Sequence, residues 1–203
     1  MDLIWQLLIF FFAVVIHEYA HGLVASLRGD RTAQYAGRLT LNPLAHIDPL
    51  GTILLPILLL VTRSPVIFGW AKPVPINYWG LKNPKRDIVL VGLAGPLANI
   101  CLAAALSLIL KFSAALPLFA VSLIYQAIVV NIVLAVFNLM PIPPLDGSRV
   151  AIGLLPSSAA RRYAAIEPYG FIILFILLSL RLFDYILWPI VNIVLRSLNM
   201  PMP

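Results

Sequence analysis

His17-Glu18-Tyr19-Ala20-His21 places two imidazoles and a carboxylate within five residues of one another. On a helix, side chains four apart project from one face, one turn apart, so two imidazoles in that relation can share a Zn²⁺ ion. Glu18 follows His17 directly and points roughly 100° further around the helix. That sets its carboxylate beside a metal rather than on it, where it can take a proton from a metal-activated water. The surroundings are unusual for such chemistry, because the motif sits in an apolar run that begins at Leu3 and continues through Gly22-Leu23-Val24-Ala25. The plain alternative is two core histidines and a glutamate paired elsewhere. A charged group at the centre of a membrane span costs about 2.5–3.5 kcal/mol on insertion scales, and that burden argues for a function.

A catalytic zinc generally has three protein ligands and an open position. The single cysteine, Cys101, lies in an apolar run and can form neither an internal disulfide nor a cysteine cluster, so the metal must be held by His and carboxylate. The remaining candidates are His46 and the carboxylates Asp2, Asp30, Asp48, Asp87, Asp146, Glu167 and Asp184. Depth discriminates among them. His17 lies about fourteen residues into its run, roughly 21 Å along a helix, and so near its far end. Asp146 follows the third apolar segment at that same end, within Asn138-Leu139-Met140-Pro141-Ile142-Pro143-Pro144-Leu145-Asp146-Gly147. Prolines there stop the helix at a depth where irregular backbone is tolerated only if it is buried in protein or lines a polar cavity. Asp146 is the expected third ligand, although Asp146-Gly147 taken alone reads as a turn.

The elements that must position these groups follow from composition. The chain has 203 residues, 62% hydrophobic and 11% charged, with mean hydropathy +0.99. Soluble domains carry about 25% charged residues, and a core of this size could not hide so much apolar surface. The expected fold is therefore an all-α polytopic membrane protein forming one domain over 1–203, with its core over about 3–150. Four segments are long enough to cross a bilayer, which takes roughly 20 helical residues: Leu3–Leu27, Ile88–Leu110, Leu118–Met140 and Tyr169–Trp188. Arg181 and Asp184 interrupt the last. Either they lie deep in the span, or the span stops near Leu180 and an interfacial amphipathic helix follows, within a C-terminal unit of about 167–198. The second reading is preferred, since Pro189 and the remaining polar residues suit a surface segment.

Leu50–Val61 is apolar but short, contains Pro56 and is bounded by Gly51 and Arg63, as expected of a re-entrant segment. Ala36–Pro49, punctuated by Gly, Asn and Pro, could hold a small β-hairpin. Gly69–Pro84, with Trp70, Tyr78 and Trp79 among prolines, reads as an interfacial loop with aromatic anchors. If Leu50–Val61 does not cross, Arg28, Arg31, Arg38, Arg63, Lys72, Lys82, Lys85, Arg86, Arg149, Arg161 and Arg162 fall on one side, against Lys111, Arg196 and Arg181 on the other. That asymmetry places the basic loops in the cytoplasm and the N-terminus outside. The net charge of +6 therefore marks topology. Nucleic acid is excluded as a partner, because no basic stripe interleaves with aromatics. The N-terminus lacks the basic start of a cleavable signal peptide, whose removal would also destroy the His17–His21 helix.

His17-Glu18-Tyr19-Ala20-His21 together with Asn138-x-x-Pro141-x-Pro143-x-Leu145-Asp146-Gly147 resembles the site-2 proteases, intramembrane zinc metalloproteases. Gly92-Leu93-Ala94-Gly95-Pro96-Leu97-Ala98-Asn99 looks like that family's glycine- and asparagine-bearing helix. Phe68-Gly69-Trp70-Ala71-Lys72-Pro73-Val74-Pro75 looks like its short prokaryotic branch without accessory domains. The resemblance covers roughly residues 10–150. It implies Zn²⁺ on His17, His21 and Asp146, Glu18 as catalytic base, and a transmembrane protein or peptide substrate cut at the cytoplasmic side of the cell membrane. It also implies that Asn138 could hold substrate backbone or stabilise the oxyanion, against a simpler role in helix packing.

Gly92, Gly95 and Asn99 read first as close helix packing and second as site support. His46 reads as a loop histidine held by local hydrogen bonds rather than a ligand. The rival from another class is a metal or proton transporter lined by the same polar residues. It requires polar side chains continuing to the outer side, where the first and second spans offer only Gln6 and Ser107. A third option, an inactive scaffold with structural zinc, finds no support in a chain that carries the full acid–base set.

Overall fold

The computed structural model describes residues 3–62, 71–113 and 115–202. Expectations for Asp2, Arg63 and Phe68–Trp70 lie outside the described residues. Helices dominate, and among the described residues no strand is formed. In chain order they are α1 (Leu3–Leu27), α2 (Thr32–Tyr35), α3 (Leu55–Val61), α4 (Pro84–Phe112), α5 (Leu118–Asn138), α6 (Asp146–Leu154), α7 (Ser157–Ala164), α8 (Gly170–Ser179) and α9 (Leu182–Ser197). Four stretches are long and apolar enough to cross a membrane: Ile4–Leu27, Pro84–Phe112, Leu118–Asn138 and Ser157–Ser179. Large apolar side chains such as Leu8, Leu108, Ile109 and Leu118 face outward, an arrangement suited to lipid and untenable in water.

α4 is the central helix and packs against α1, α5 and α6. Its buried stripe of Ile88, Val91, Gly92, Gly95, Pro96, Asn99 and Ala103 has helical spacing. It starts a turn earlier than Ile88, because Pro84 at the first helical position is pre-set for helix and Asp87 accepts the Asn83 amide at 2.8 Å. The glycines on this stripe let neighbours approach closely. A Cβ at Gly92 would lie 3.2 Å from the Asp146 carbonyl of α6.

The C-terminal apolar helix stops near Leu180, as preferred from the sequence, but the helix that follows packs along α5 instead of lying free at the interface. The helix breaks at Arg181, which adopts a left-handed conformation with φ of 54°. α7 and the turn after it sit against the proline loop. The Tyr163 hydroxyl donates to the Pro141 carbonyl at 2.7 Å, and Gly170 lies so close to Pro143 that a side chain there would collide with its carbonyl. α9 then lies along α5. Phe183 meets Phe137 with ring centroids 5.4 Å apart, the stripe Phe183, Leu187, Val191 and Leu195 is buried, and Tyr125 donates to the Pro201 carbonyl at 3.1 Å. The start of α9, with Arg181 beside it, is therefore at the same end of the bundle as the end of α5.

The expected β-hairpin over Ala36–Pro49 is not formed. That stretch contains a 3-10 turn, Pro43–His46, started by Asn42, whose side chain accepts the Leu44 amide. Asn-Pro at this point favours a local Asx turn over strand pairing. The following Pro49–Leu54 is a π-helical turn capped by Asp48, which leads into α3. Residues 71–77 form an extended segment held against the end of α1. Lys72 donates to the His46 carbonyl at 2.9 Å and Lys82 to the Arg28 carbonyl at 2.9 Å. Asn77 donates to Asp30 Oδ2 at 2.7 Å. Arg38, itself buried, donates to the Lys72 carbonyl.

Candidate metal centre

His17 and His21 stand one turn apart on α1 and face α4, with ring centroids 4.6 Å apart; both are buried. Asp146 reaches them as the first residue of α6, so Asp146-Gly147 is a helix start and not a free turn. Gly147 makes this possible, since any side chain there would run into the Leu139 and Met140 carbonyls at the end of α5. Asp146 Oδ2 lies 2.9 Å from His17 Nε2 and 3.2 Å from His21 Nε2. One ligand atom from each of the three residues falls within 4.8 Å of the others.

The hydrogen bonds on the far side of each ring settle what these atoms are. His21 Nδ1 lies 2.7 Å from the Val91 carbonyl, which can only accept, so Nδ1 carries the proton. His17 Nδ1 lies 2.6 Å from Asn99 Oδ1. Each ring, protonated at Nδ1, therefore turns its Nε2 toward the Asp146 oxygen, and in the neutral form that Nε2 offers a lone pair. Three acceptor atoms at this spacing repel unless positive charge lies between them. Bonds of ~2.0–2.1 Å to a tetrahedral zinc would put its ligand atoms about 3.3 Å apart, close to the separations found here. The donor set thus fits zinc. Gly95 keeps the space open, because a Cβ there would lie 2.6 Å from His17 Nε2 and nearer still to His21 Nε2.

Glu18, between the two histidines in sequence, reaches the 71–77 segment. Its Oε2 accepts the Val74 backbone N–H at 2.8 Å. Val74 is buried over Gly22, where its Cγ1 would lie 3.0 Å from an added Cβ. Nothing in the sequence pointed to this contact. Asn138 does not join the triad. Its Nδ2 donates at 2.9 Å to the Leu134 carbonyl within α5. His46 is fully buried, and its Nε2 is bonded to the Thr40 carbonyl at 2.9 Å, which is the loop-locking role expected of it. Asn99 proves closer to the chemistry than helix packing implied, since it touches a ring of the triad.

Beyond Asp146, Arg149 ties α6 to the turn after α7. It pairs with both carboxylate oxygens of Glu167 and its guanidinium stacks 5.4 Å over the Tyr78 ring. Burial pushes the Tyr78 hydroxyl above its ordinary value despite the opposing pull of Arg149, so it stays neutral. Burial would weaken the Arg149 charge, but the bond to Glu167 together with the nearby Tyr78, Glu167 and Asp146 outweighs that.

Residues 109–180, which include Asn138 and Asp146, match Peptidase family M50. Relatives carrying the name "Putative zinc metalloprotease" cover more of the chain. YwhC of Bacillus subtilis (strain 168) is 41% identical over 189 residues, 87% of this chain and 81% of YwhC. Rip2 of Mycolicibacterium smegmatis is 31% identical over 170 residues, 82% of this chain but 63% of Rip2. Rip2 of Mycobacterium tuberculosis (strain ATCC 25618 / H37Rv) is 32% identical over 161 residues, 77% of this chain and 54% of Rip2. The chain thus spans less than two thirds of either Rip2. No solved structure matches it. Identity of this extent to YwhC, over most of both chains, places the protein: it belongs to peptidase family M50, the site-2 proteases, and is a multi-pass membrane zinc metalloprotease.

Proposed function

We propose that the protein is an intramembrane endopeptidase that hydrolyses peptide bonds in or near transmembrane segments of membrane-protein substrates, with one Zn²⁺ held by His17, His21 and Asp146 and Glu18 as the catalytic base. The observation that carries this reading is the convergence of two imidazole nitrogens and a carboxylate oxygen within 4.8 Å, the two imidazoles on a helix long and apolar enough to cross a bilayer. Bound zinc supplies a Lewis acid that activates water and polarises the scissile carbonyl. Glu18 takes a proton from the attacking water and passes it to the leaving amine. Its bond to the Val74 N–H orients Oε2 and leaves Oε1 to do so. Asn138 assists substrate or oxyanion binding only if its amide leaves the Leu134 carbonyl. A substrate helix hides its carbonyls in its own hydrogen bonds, so it must unwind locally before attack.

The site opens to the cytoplasmic side of the cell membrane, with the N-terminus outside. The bond from Lys72 to the His46 carbonyl joins two residues that flank Pro49–Val61 in sequence, which supports the re-entrant reading of that apolar segment. Arg181, beside Phe183 and hence near Phe137, joins the basic side, which sharpens the charge asymmetry. A transporter would need polar groups left free along the helices beyond the site. Asn99 and Asn131 are buried and tied to the Ala13 and Ala127 carbonyls, whereas the buried side-chain oxygens of Gln126 and Asn192 have no partner among the described residues; the protease reading is favoured by the triad and by the likeness to named zinc metalloproteases.

The test is Glu18→Gln in purified protein reconstituted with a membrane-embedded reporter. The variant is expected to keep its zinc and lose at least about 10²-fold in cleavage, whereas His17→Ala and Asp146→Ala lose zinc. Cleavage by Glu18→Gln at the wild-type rate, or unchanged metal content in both ligand variants, refutes the assignment.

A further inference from the structure

We propose that Asn99 is the positioning residue of His17: a one-way chain of side-chain amides, anchored on the α5 backbone, fixes which nitrogen of that ring faces the metal site. It rests on the zinc reading above only for the use made of that nitrogen.

The chain's direction follows from its ends. Asn131 Nδ2 lies 2.8 Å from the Ala127 carbonyl, which can only accept, so the other end of that amide is an oxygen. Asn131 Oδ1 lies 2.7 Å from Asn99 Nδ2, which must donate to it. Asn99 Nδ2 also donates to the Ala13 carbonyl at 3.1 Å. Both hydrogens of the Asn99 amide are thereby committed, one to α5 and one to α1. Its Oδ1 is left as a pure acceptor, 2.6 Å from His17 Nδ1. His17 must carry a proton there, and its Nε2 is the nitrogen turned to Asp146. Amide orientation is normally ambiguous; here two backbone carbonyls remove the ambiguity.

The choice of an amide is physical. Ligating histidines commonly donate their second nitrogen to a carboxylate or a carbonyl. His21 uses the Val91 carbonyl. At the level of His17 a carboxylate in place of Asn99 would be an uncompensated charge at a fully buried position inside the spans, facing two carbonyl oxygens. An asparagine gives the same acceptor without charge and brings two donors that pin it. His46, bonded through Nε2 to the Thr40 carbonyl, holds the opposite tautomer. The three histidines of the chain should therefore divide two to one.

That division is measurable by ¹⁵N NMR of the full chain in micelles, labelled at histidine and free of metal, above the pH at which imidazoles titrate. The wild type is expected to show two rings protonated at Nδ1, whether or not their Nε2 also shares a proton with Asp146, and one ring, His46, bare at Nδ1. In Asn99→Leu one ring reverts to Nε2–H, the form favoured by unrestrained imidazole, and zinc dissociation measured by chelator competition rises about 10–100-fold. Asn131→Leu gives a smaller loss, and the double variant binds no worse than Asn99→Leu alone, because Asn131 acts only through Asn99. A folded Asn99→Leu that keeps both Nδ1–H rings and wild-type zinc affinity overturns the proposal, as do additive losses in the double variant. Should Asn99→Leu not fold, Asn99→Ala carries the same expectations. A wild type that takes up no zinc sinks the metal assignment, while the tautomer count still decides on Asn99.

Discussion

Gly95→Ala is the smallest change that should abolish the metal centre while leaving the fold intact. The added carbon would lie 2.6 Å from His17 Nε2 and 2.7 Å from His17 Cδ2, and closer still to His21 Nε2. Ordinary contact begins at 3.4 Å, so the His17 ring must retreat from 2.6 to 3.4 Å, about 0.8 Å. Metal–ligand distances tolerate only about ±0.2 Å. The displacement is some four times that, and both histidines are affected together. Alanine in place of glycine inside a helix is itself favourable by about 0.8–1.0 kcal/mol, which offsets part of the about 1–3 kcal/mol cost of overpacking, so the variant should still insert and fold. Zinc content by elemental analysis is expected to fall well below one per chain. Cleavage of a reconstituted reporter should fall by about 10²-fold or more, the usual cost of a ~1 Å misplacement. Gly92→Ala, whose Cβ meets its neighbours at 3.2–3.3 Å, is the control and should keep zinc with a smaller loss of rate. If Gly95→Ala holds one zinc and cleaves normally, the site is not where His17, His21 and Gly95 face one another, and the geometric reasoning fails.

Gly147→Ala should also lower bound zinc, because its side chain collides with the Leu139 and Met140 carbonyls and pushes the start of α6, with Asp146, away from α1; equal metal content in the purified variant would contradict this. Asp30→Ala removes a buried carboxylate that accepts the Thr32 and Asn77 amides at 2.9 and 2.7 Å. The loss should be about 1.5–3 kcal/mol per bond before the local chain relaxes, seen as a lower unfolding temperature in detergent. It should also bring faster amide exchange at Asn77 and Val74, and unaltered exchange there would show that Asp30 does not hold the segment over Glu18.

Much of the protein was legible without coordinates. A bilayer demands about 20 apolar residues per helix, so α1, α4 and α5 stand out in the hydropathy, and the helical repeat alone puts His17 and His21 on one face. Matching Asp146 to their depth needed only the order of spans and the proline-rich break. The C-terminal region was read less well. The break near Leu180 was legible from Arg181 and Asp184, but only packing reveals that α9 lies along α5. The β-hairpin expected over Ala36–Pro49 gave way to a local turn, since Asn42 caps its own chain and no partner strand is offered among the described residues.

What the sequence by itself determined was the class of protein, its spans and the identity of the groups that can hold zinc, because periodicity, length and donor chemistry are local properties. What only the tertiary structure decided was how those groups are held. Asn99 meets His17 across 82 positions of chain, the Val74 amide meets Glu18 across 56, and Gly95 leaves the gap in which both imidazoles converge. Such contacts depend on the rotation and spacing of whole helices against one another, and no window of sequence encodes either.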